Sequence, residues 1–230
     1  MSALFFSLEP GSALRELGPA ARKFPARVLA PAGNCRKLET MEGTTHKTEP
    51  LLIDAGRSCL LAVDLQRKLA PAIADRAGII DNARRLLSAA RLLEVPAVVS
   101  EQYPQGLGGT LPELAGLLPA EGALAKLSFS CLGEPGFRER LEASGRTQIV
   151  VFGMEAHVCV LQTVMELIEA QQQVFVVVDA CGSRQPRNAA VGLERMAHAG
   201  AVLVTTEMVL FEWLRRAGTD RFKQILPLIK

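Results

Sequence analysis

The chain has 230 residues, 49% hydrophobic and 22% charged, a balance typical of a soluble globular protein. Its formal net charge of +2 gives no strong field for nucleic acid or an anionic membrane, so we expect a small-molecule substrate and neither of those partners. No apolar stretch approaches the ~18 residues that span a bilayer. The five cysteines show no CxxC motif, which favours free thiols in a reducing compartment and a cytoplasmic location.

The first part of the chain differs in composition from the rest. Residues 1–50 contain many prolines, glycines and scattered basic residues without a sustained hydrophobic period, so we expect a flexible N-terminal extension. A second interpretation is a mitochondrial transit peptide, because basic residues outnumber acidic ones and MSALFFSL is apolar. The acidic residues present favour the first interpretation. Residues 51–230 are expected to form the folded domain.

From residue 57 onward, apolar strands alternate with helical patterns, as in a parallel sheet covered on both faces. Strands are expected at 58–64, 96–102, 123–127, 147–152, 173–179 and 201–206. Helices are expected from Ile79 to Leu93, from about Pro112, at 136–144, at 157–170 and near 187–199. This alternation predicts a three-layer α/β/α, Rossmann-like domain with a six-stranded parallel sheet. The segments LFEWLRRAG and FKQILPLIK are expected to cover the last strand or a neighbouring subunit.

The glycines of this chain do not form a dinucleotide site. The first strand continues into DLQRKLAP without a GxGxxG motif. The GLGG sequence at 106–109 follows the second strand without an immediate amphipathic helix that would point at a phosphate. We therefore expect no cofactor.

Three chemically useful side chains fall at predicted carboxyl ends of strands, where open parallel sheets bind their ligands. Asp64 ends the first strand, Lys126 leaves the third, and Cys159 follows the fourth in the first turn of a helix. Each alone has an ordinary interpretation: a loop-organising carboxylate, a solvated lysine and a small buried hydrophobe. Together they predict nucleophilic catalysis, because the acid can take the thiol proton while the lysine and the helix N-terminus stabilise the thiolate.

The orientation of Cys159 supports this interpretation. If Val158, Leu161, Met165 and Ile168 form the buried stripe of the helix, Cys159 lies roughly 160° from Leu161 on a helical wheel. The first helical turn is also expected to lower the pKa of the thiol.

Several nearby residues are weaker candidates for the functional site. Gln102, Tyr103 and Phe129 follow the second and third strands and are candidates for substrate binding, although core packing explains Phe129 equally well. His157 precedes the cysteine by two positions and does not face it on a helix, so a rim or structural role is preferred.

Two residues near the end of the fifth strand are expected to have structural roles only. Cys181, in DACGSR, is interpreted as a packing residue, and Asp179 as a loop organiser.

The segments LLAVDLQ, LAKLSFS and VVFGMEAHVCVLQT together resemble the isochorismatase-like cysteine hydrolases, over roughly residues 57–215. The loop EQYPQGLG at 101–108 and the turn GMEA at 153–156 are most similar to the isochorismatase domain-containing subgroup. The resemblance implies a six-stranded parallel sheet and a homo-oligomer.

The resemblance also implies functional positions. Asp64, Lys126 and Cys159 would form the catalytic triad, and a cis peptide would join Met154 to Glu155. The backbone amides of Glu155 and Cys159 would form the oxyanion hole.

The chain departs from the nicotinamidase-like members of this family at their metal site. Those members carry Asp-x-His after the catalytic aspartate, whereas LQRKLAPAIAD follows Asp64 here, and the three histidines have no ligand spacing. No metal is expected. The retained thiol also argues against isochorismate as the substrate, because hydrolysis of a vinyl ether does not need such a nucleophile.

The expected function is therefore a metal-independent cysteine hydrolase that cleaves a C–N bond of a small amide through a thioester. Three alternatives remain open: a hydrolase of another bond type, a catalytically idle paralogue serving as an oligomeric interaction module, and a thiol redox sensor. A redox sensor would need a resolving cysteine, for which Cys131 and Cys181 are candidates.

Overall fold

The apolar strands of the sequence form one six-stranded, all-parallel sheet. The computed structural model describes residues 52–229. The strands are β1 (Ser58–Val63), β2 (Ala97–Gln102), β3 (Leu124–Lys126), β4 (Gln148–Met154), β5 (Gln173–Gly182) and β6 (Val202–Val204), in the spatial order β3-β2-β1-β4-β5-β6. The predicted fold class is confirmed. The interpretations given to residues 1–50 concern residues outside those described.

The centre of the sheet is its most apolar part. Every residue of β1 and of β4 is buried. In the register of this sheet, Leu61 of β1 lies between Val98 of β2 and Val151 of β4. Apart from Ser58 and Gln148 at their first positions, both strands are apolar, which is typical of parallel strands that are covered on both faces.

Helices cover both faces of the sheet. They are α1 (Arg76–Leu92), α2 (Pro104–Leu107), α3 (Pro112–Ala115), α4 (Pro135–Ala143), α5 (Leu161–Glu169), α6 (Pro186–Ala199), α7 (Thr206–Leu214) and α8 (Asp220–Ile229). Helices α1, α7 and α8 contact one another, whereas α5 and α6 contact each other and α4 contacts β2. Among the described residues, no helix has the length and apolar character that a bilayer crossing requires.

The observed elements differ from the predicted ones mainly at their ends. Strands β4 and β5 extend further than expected, to Met154 and Gly182, and the glycine-rich stretch after β2 forms the short helix α2. The carboxyl-terminal apolar segments form α7, which contacts β5, and α8, which contacts α1. Within the described chain, these segments thus cover the sheet and its helices.

Candidate active site

The predicted triad lies at one edge of the sheet, beyond the carboxyl ends of its strands. Asp64 follows β1, Lys126 is the last residue of β3, and Cys159 lies in a turn after β4. Strands β1 and β4 are neighbours in space, although β2 and β3 separate them in the chain. The strand order reverses at this pair, and open α/β sheets bind their ligands at such a reversal.

Asp64 and Lys126 form a buried ion pair. Lys126 Nζ donates to Asp64 Oδ2 at 2.8 Å, and both side chains have 0% exposure. The other carboxylate oxygen accepts a hydrogen bond from Ser100 Oγ at 2.6 Å, and Lys126 Nζ also donates to the Phe129 carbonyl at 3.0 Å. The interpretation of Lys126 as a solvated surface charge is therefore wrong, because a carboxylate and carbonyl oxygens replace its water.

The protonation of Lys126 depends on this partner. Burial by itself lowers the pKa of the ammonium. The charge and the hydrogen bond of Asp64 raise it, with further contributions from the neighbouring thiols, so the pKa lies above its usual value. Lys126 is therefore a fixed positive charge at neutral pH.

Gln102, the last residue of β2, joins the ion pair to the thiol. Its Oε1 accepts a hydrogen bond from Lys126 Nζ at 2.5 Å and from Cys159 Sγ at 3.8 Å. Its Nε2 donates to the Leu127 carbonyl at 2.8 Å. The structure thus brings Asp64, Lys126 and Cys159 into one hydrogen-bonded cluster, and the polar atoms of Gln102 are occupied by protein groups.

Cys159 lies in a π-helical turn, Ala156–Val160, that precedes α5. The Val160 amide donates to the Glu155 carbonyl at 3.2 Å, a span of five residues that rotates the chain less per residue than an α-helix. The α-helical wheel from which the orientation of Cys159 was predicted therefore does not apply to this stretch. Cys159 is only 6% exposed, and the buried face of the following helix consists of Leu161, Thr163, Val164 and Leu167.

The resting thiol is neutral. Burial raises the pKa of Cys159, and the charge of Asp64 raises it further, whereas Lys126 opposes the shift. The predicted lowering of this pKa is wrong, because loss of solvent and a nearby carboxylate outweigh the positive groups. Any thiolate chemistry here must move the proton to a base, and Asp64 is close enough to hydrogen-bond the thiol.

The strand that leads to the thiol requires a glycine. Gly153 has φ +138°, and a Cβ there would lie 2.0 Å from the backbone oxygen of Val63 in β1. One residue further along, the Met154–Glu155 peptide bond is cis, at the position that the family resemblance implies. The Glu155 carboxylate accepts a hydrogen bond from Arg184 Nε at 2.8 Å, which ties this turn to the segment after β5.

Helix α6 packs against the π-helical turn that carries Cys159. A Cβ on Gly192 of α6 would approach His157 Cα to 2.9 Å, so the helix backbone lies directly against the turn. His157 Nδ1 lies 2.9 Å from Ser183 Oγ, and its Nε2 lies 3.5 Å from Asn188 Nδ2. These contacts agree with the preferred structural role of His157.

The other cysteines of the described residues are buried free thiols. The Cys131 amide donates to Thr163 Oγ1 at 3.0 Å, and this hydroxyl donates to the Cys159 carbonyl at 2.7 Å. Burial raises the pKa of Cys131 to about 11 and that of Cys181 to about 12. Cys181 is a packing residue, as predicted.

Asp179 organises the start of α7. Its Oδ1 accepts hydrogen bonds from the Thr206 amide at 2.8 Å and from Thr206 Oγ1 at 3.0 Å. Its carbonyl accepts a hydrogen bond from Asn82 Nδ2 at 2.7 Å. The predicted organising role of Asp179 is confirmed.

The two aromatic candidates lie at the surface beside the cluster. Tyr103 is 52% exposed and Phe129 is 54% exposed, so the core-packing interpretation of Phe129 is wrong. Tyr103 lines a cavity of about 350 Å³ together with Leu127 and Glu134. A wider cavity, of about 990 Å³, lies at the amino end of β2 and contains none of the candidate site residues.

Sequence reasoning missed two residues that support the cluster, Ser100 and Thr163. Ser100 lies two positions before Gln102, so both side chains lie on one face of β2, and this spacing was a usable signal. Thr163 lies four positions after Cys159, which on a helix permits a hydrogen bond to that carbonyl. Among residues 52–229, no three His, Cys, Asp or Glu side chains are grouped in a way that would hold a metal ion.

The fold and the site define a Rossmann-like α/β protein with a buried Asp–Lys–Cys cluster at the reversal of its strand order. The isochorismatase domain matches residues 58–208. The chain belongs to the isochorismatase family of hydrolases.

Relatives of known sequence lie in the isochorismatase domain-containing group. The chain is 43% identical to isochorismatase domain-containing protein 2 of Pongo abelii over 178 residues, which cover 76% of this chain and 84% of that protein. It is 42% identical to the Homo sapiens protein of the same description, with the same coverage.

Solved structures share the fold. A structure described as MAR1 ribonuclease from Caenorhabditis elegans aligns with TM-score 0.73 and 37% identity, covering 77% of this chain and 92% of that chain. The Escherichia coli YcaC gene product, described as an octameric hydrolase of unknown specificity, aligns with TM-score 0.74 and 26% identity, covering 79% and 92%.

Proposed function

We propose that the protein is a metal-independent cysteine hydrolase that cleaves a C–N bond of a small amide-type compound through a thioester. One observation carries the proposal: a thiol, a carboxylate and an ammonium from distant segments share one buried hydrogen-bonded cluster. Burying an ion pair costs several kcal/mol of desolvation. A site that retains such a pair beside a neutral thiol has the parts of an activated nucleophile.

In the first half of the reaction, Asp64 takes the proton of the Cys159 thiol. The ammonium of Lys126 stabilises the thiolate, which attacks the carbonyl carbon of the substrate. The negative charge then develops on the carbonyl oxygen, where the amides of Glu155 and Cys159 would donate hydrogen bonds, each worth on the order of 3 kcal/mol. The C–N bond breaks as Asp64 gives its proton to the leaving amine.

In the second half, water replaces the amine. Asp64 accepts a proton from the water, whose oxygen attacks the thioester carbonyl. The C–S bond then breaks, and the proton returns from Asp64 to the sulfur as the acid leaves. Lys126 keeps its proton throughout, because its raised pKa makes it a charge and not an acid at neutral pH.

A small substrate is supported by the depth of the cluster. Cys159 is 6% exposed and Lys126 is 2% exposed, so a compact amide is better suited to reach the sulfur than a polymer. The substrate would lie beside Gln102, whose amide groups already bond to protein atoms, and beside Tyr103 and Phe129. These two aromatic side chains would form an apolar wall at the entrance of the site. Neither the charge balance nor the cluster calls for a metal or another cofactor.

The test is a panel of small amides, carbamoyl compounds and nicotinamide, assayed for ammonia release. Cys159→Ala should reduce turnover to background and Asp64→Asn should reduce it by at least ~100-fold, the usual scale for a lost general base. Cys59→Ala, which also removes a buried thiol but at the amino end of β1, should stay active. Acid quenching during turnover should trap an acyl group on the Cys159 peptide. Turnover in Cys159→Ala would refute the nucleophile.

RNA belongs in the same panel, because the Caenorhabditis elegans relative is described as a ribonuclease. Cleavage of RNA by the wild type, abolished in Cys159→Ala, would replace the amide proposal. Failure of every substrate would favour the idle paralogue.

We also propose that the chain forms a homo-oligomer and resides in the cytoplasm. The octameric Escherichia coli relative supports the first point, which light scattering after gel filtration tests. Imaging of the full chain and of residues 51–230, each fused to a fluorescent protein, tests the second. Mitochondrial signal from the full chain alone would favour the transit peptide.

A further inference from the structure

The orientation of the Gln102 side chain is fixed by its two neighbours. Lys126 has only hydrogen-bond donors, so the atom 2.5 Å from its Nζ must be the amide oxygen. The Leu127 carbonyl is only an acceptor, so the atom 2.8 Å from it must be the amide nitrogen. The oxygen of Gln102 therefore faces both the ammonium and the sulfur of Cys159.

The backbone of Gln102 is held as firmly as its side chain. Gln66 is buried, and its Oε1 accepts a hydrogen bond from the Gln102 amide at 2.8 Å. Its Nε2 donates to the Gln102 carbonyl at 3.0 Å. With both backbone groups and both side-chain groups bonded, Gln102 has little freedom to turn its amide away from the thiol.

An amide oxygen has opposite effects on the two forms of a thiol. It accepts a hydrogen bond from S–H, as the Sγ to Oε1 distance of 3.8 Å allows, but it has no proton to donate to a thiolate. It also accepts a hydrogen bond from one of the three N–H groups of Lys126, so that this donor points at the amide oxygen and not at the sulfur. Both effects favour the protonated thiol.

We propose that Gln102 is a positioning residue whose amide oxygen keeps the resting Cys159 thiol protonated and directs the ammonium of Lys126 away from the sulfur. The resting enzyme then reacts slowly with electrophiles other than its substrate. This inference rests on the proposed function in taking Cys159 as the nucleophile.

Few other groups control the titration of this thiol. Asp64 after β1 and Lys126 of β3 act on it directly, and Cys131 is neutral at ordinary pH because burial raises its pKa. The Glu155 carboxylate of the same turn is paired with Arg184. On the α6 side the turn meets Gly192, which is uncharged, and the His157 ring, which contacts Ser183 and Asn188.

The test measures iodoacetamide labelling of the Cys159 peptide against pH by mass spectrometry. Gln102→Met keeps the length of the side chain and removes the amide oxygen, so the apparent pKa of Cys159 should fall by about one unit, which is tenfold more thiolate and about tenfold faster labelling near pH 7.5. Gln102→Glu places a negative charge beside the sulfur and should slow labelling at least threefold. The matched control is Gln105→Met, an exposed glutamine three positions along the chain, which should label within twofold of wild type.

The two variants separate positioning from mere support of the structure. A residue that only supports the fold would give changes in the same direction in both variants. Unchanged labelling in Gln102→Met, or changes of one sign in both variants, would overturn the inference. Labelling needs no turnover. If the two variants change the labelling rate in opposite directions but the protein hydrolyses no amide, the proposed function is refuted and this inference stands.

Discussion

The buried pair of Asp64 and Lys126 can be tested by its contribution to stability. At 2.8 Å, two unit charges attract by about 6 kcal/mol at an effective dielectric constant of 20, and desolvation offsets much of this. Removing one partner leaves a buried charge unpaired, so Lys126→Met and Asp64→Asn should each lower the free energy of unfolding by about 3–5 kcal/mol. The double variant should lose at least ~2 kcal/mol less than the two single losses combined, because it leaves no unpaired charge.

Urea unfolding at pH 7 measures this coupling. The control is the exposed pair of Lys223 and Asp220, whose Nζ to Oδ1 distance is 3.0 Å but whose charges are in water, and it should show almost no coupling. Losses in the Asp64 and Lys126 cycle that add within about 0.5 kcal/mol would refute the reasoning, since additivity means that the two groups do not interact.

The raised pKa of Lys126 predicts how this stability depends on pH. A base whose pKa is raised on folding stabilises the folded state fully below its unfolded pKa, about 10.4 for lysine, and loses that contribution as pH rises through the folded value. The stability difference between wild type and Lys126→Met should therefore be constant near pH 7–9 and shrink above about pH 10.4. A difference that stays constant up to pH 11.5 would contradict this pairing.

Two further substitutions test the support of the thiol. Gly153→Ala should destabilise the protein by more than about 3 kcal/mol in thermal or urea unfolding, because the backbone of β1 occupies the space, whereas Gly145→Ala, with φ +62° and open space, should cost only about 1 kcal/mol. Thr163→Val leaves the buried Cys131 amide without its acceptor and should cost about 1–3 kcal/mol, with a loss of turnover as the Cys159 carbonyl is released. An unaffected turnover in Thr163→Val would separate this hydroxyl from the geometry of the thiol.

The strands of the sheet could be predicted because buried parallel strands appear in the sequence as apolar runs. After the polar first residues Ser58 and Gln148, strands β1 and β4 are apolar, and a parallel sheet needs such runs in its centre. The third strand is only three residues long, at Leu124–Lys126, and the predicted range of 123–127 exceeds it by one residue at each end, because so short a run has no period to read.

The burial of Lys126 had no local signal. Its partner Asp64 lies 62 positions earlier in the chain, and only the order of the strands brings them together. The π-helical turn at Cys159 was missed for a different reason. A helical wheel assumes the rotation of an α-helix, and five residues that depart from it shift the orientation of every side chain among them. The pKa of the thiol was predicted wrongly because the burial of Cys159 and the nearby charge of Asp64 could not be read from the sequence around it.

The lysine of the cluster is carried by a strand at the margin of the sheet. Strand β3 pairs with β2 alone and contributes only three residues, so it is held to the sheet by fewer hydrogen bonds than the central strands β1 and β4. Fraying of this margin would separate the ammonium from its acid while the central strands stay intact. Mild warming should thus abolish catalytic activity reversibly, at temperatures where the circular dichroism spectrum is still that of the native state.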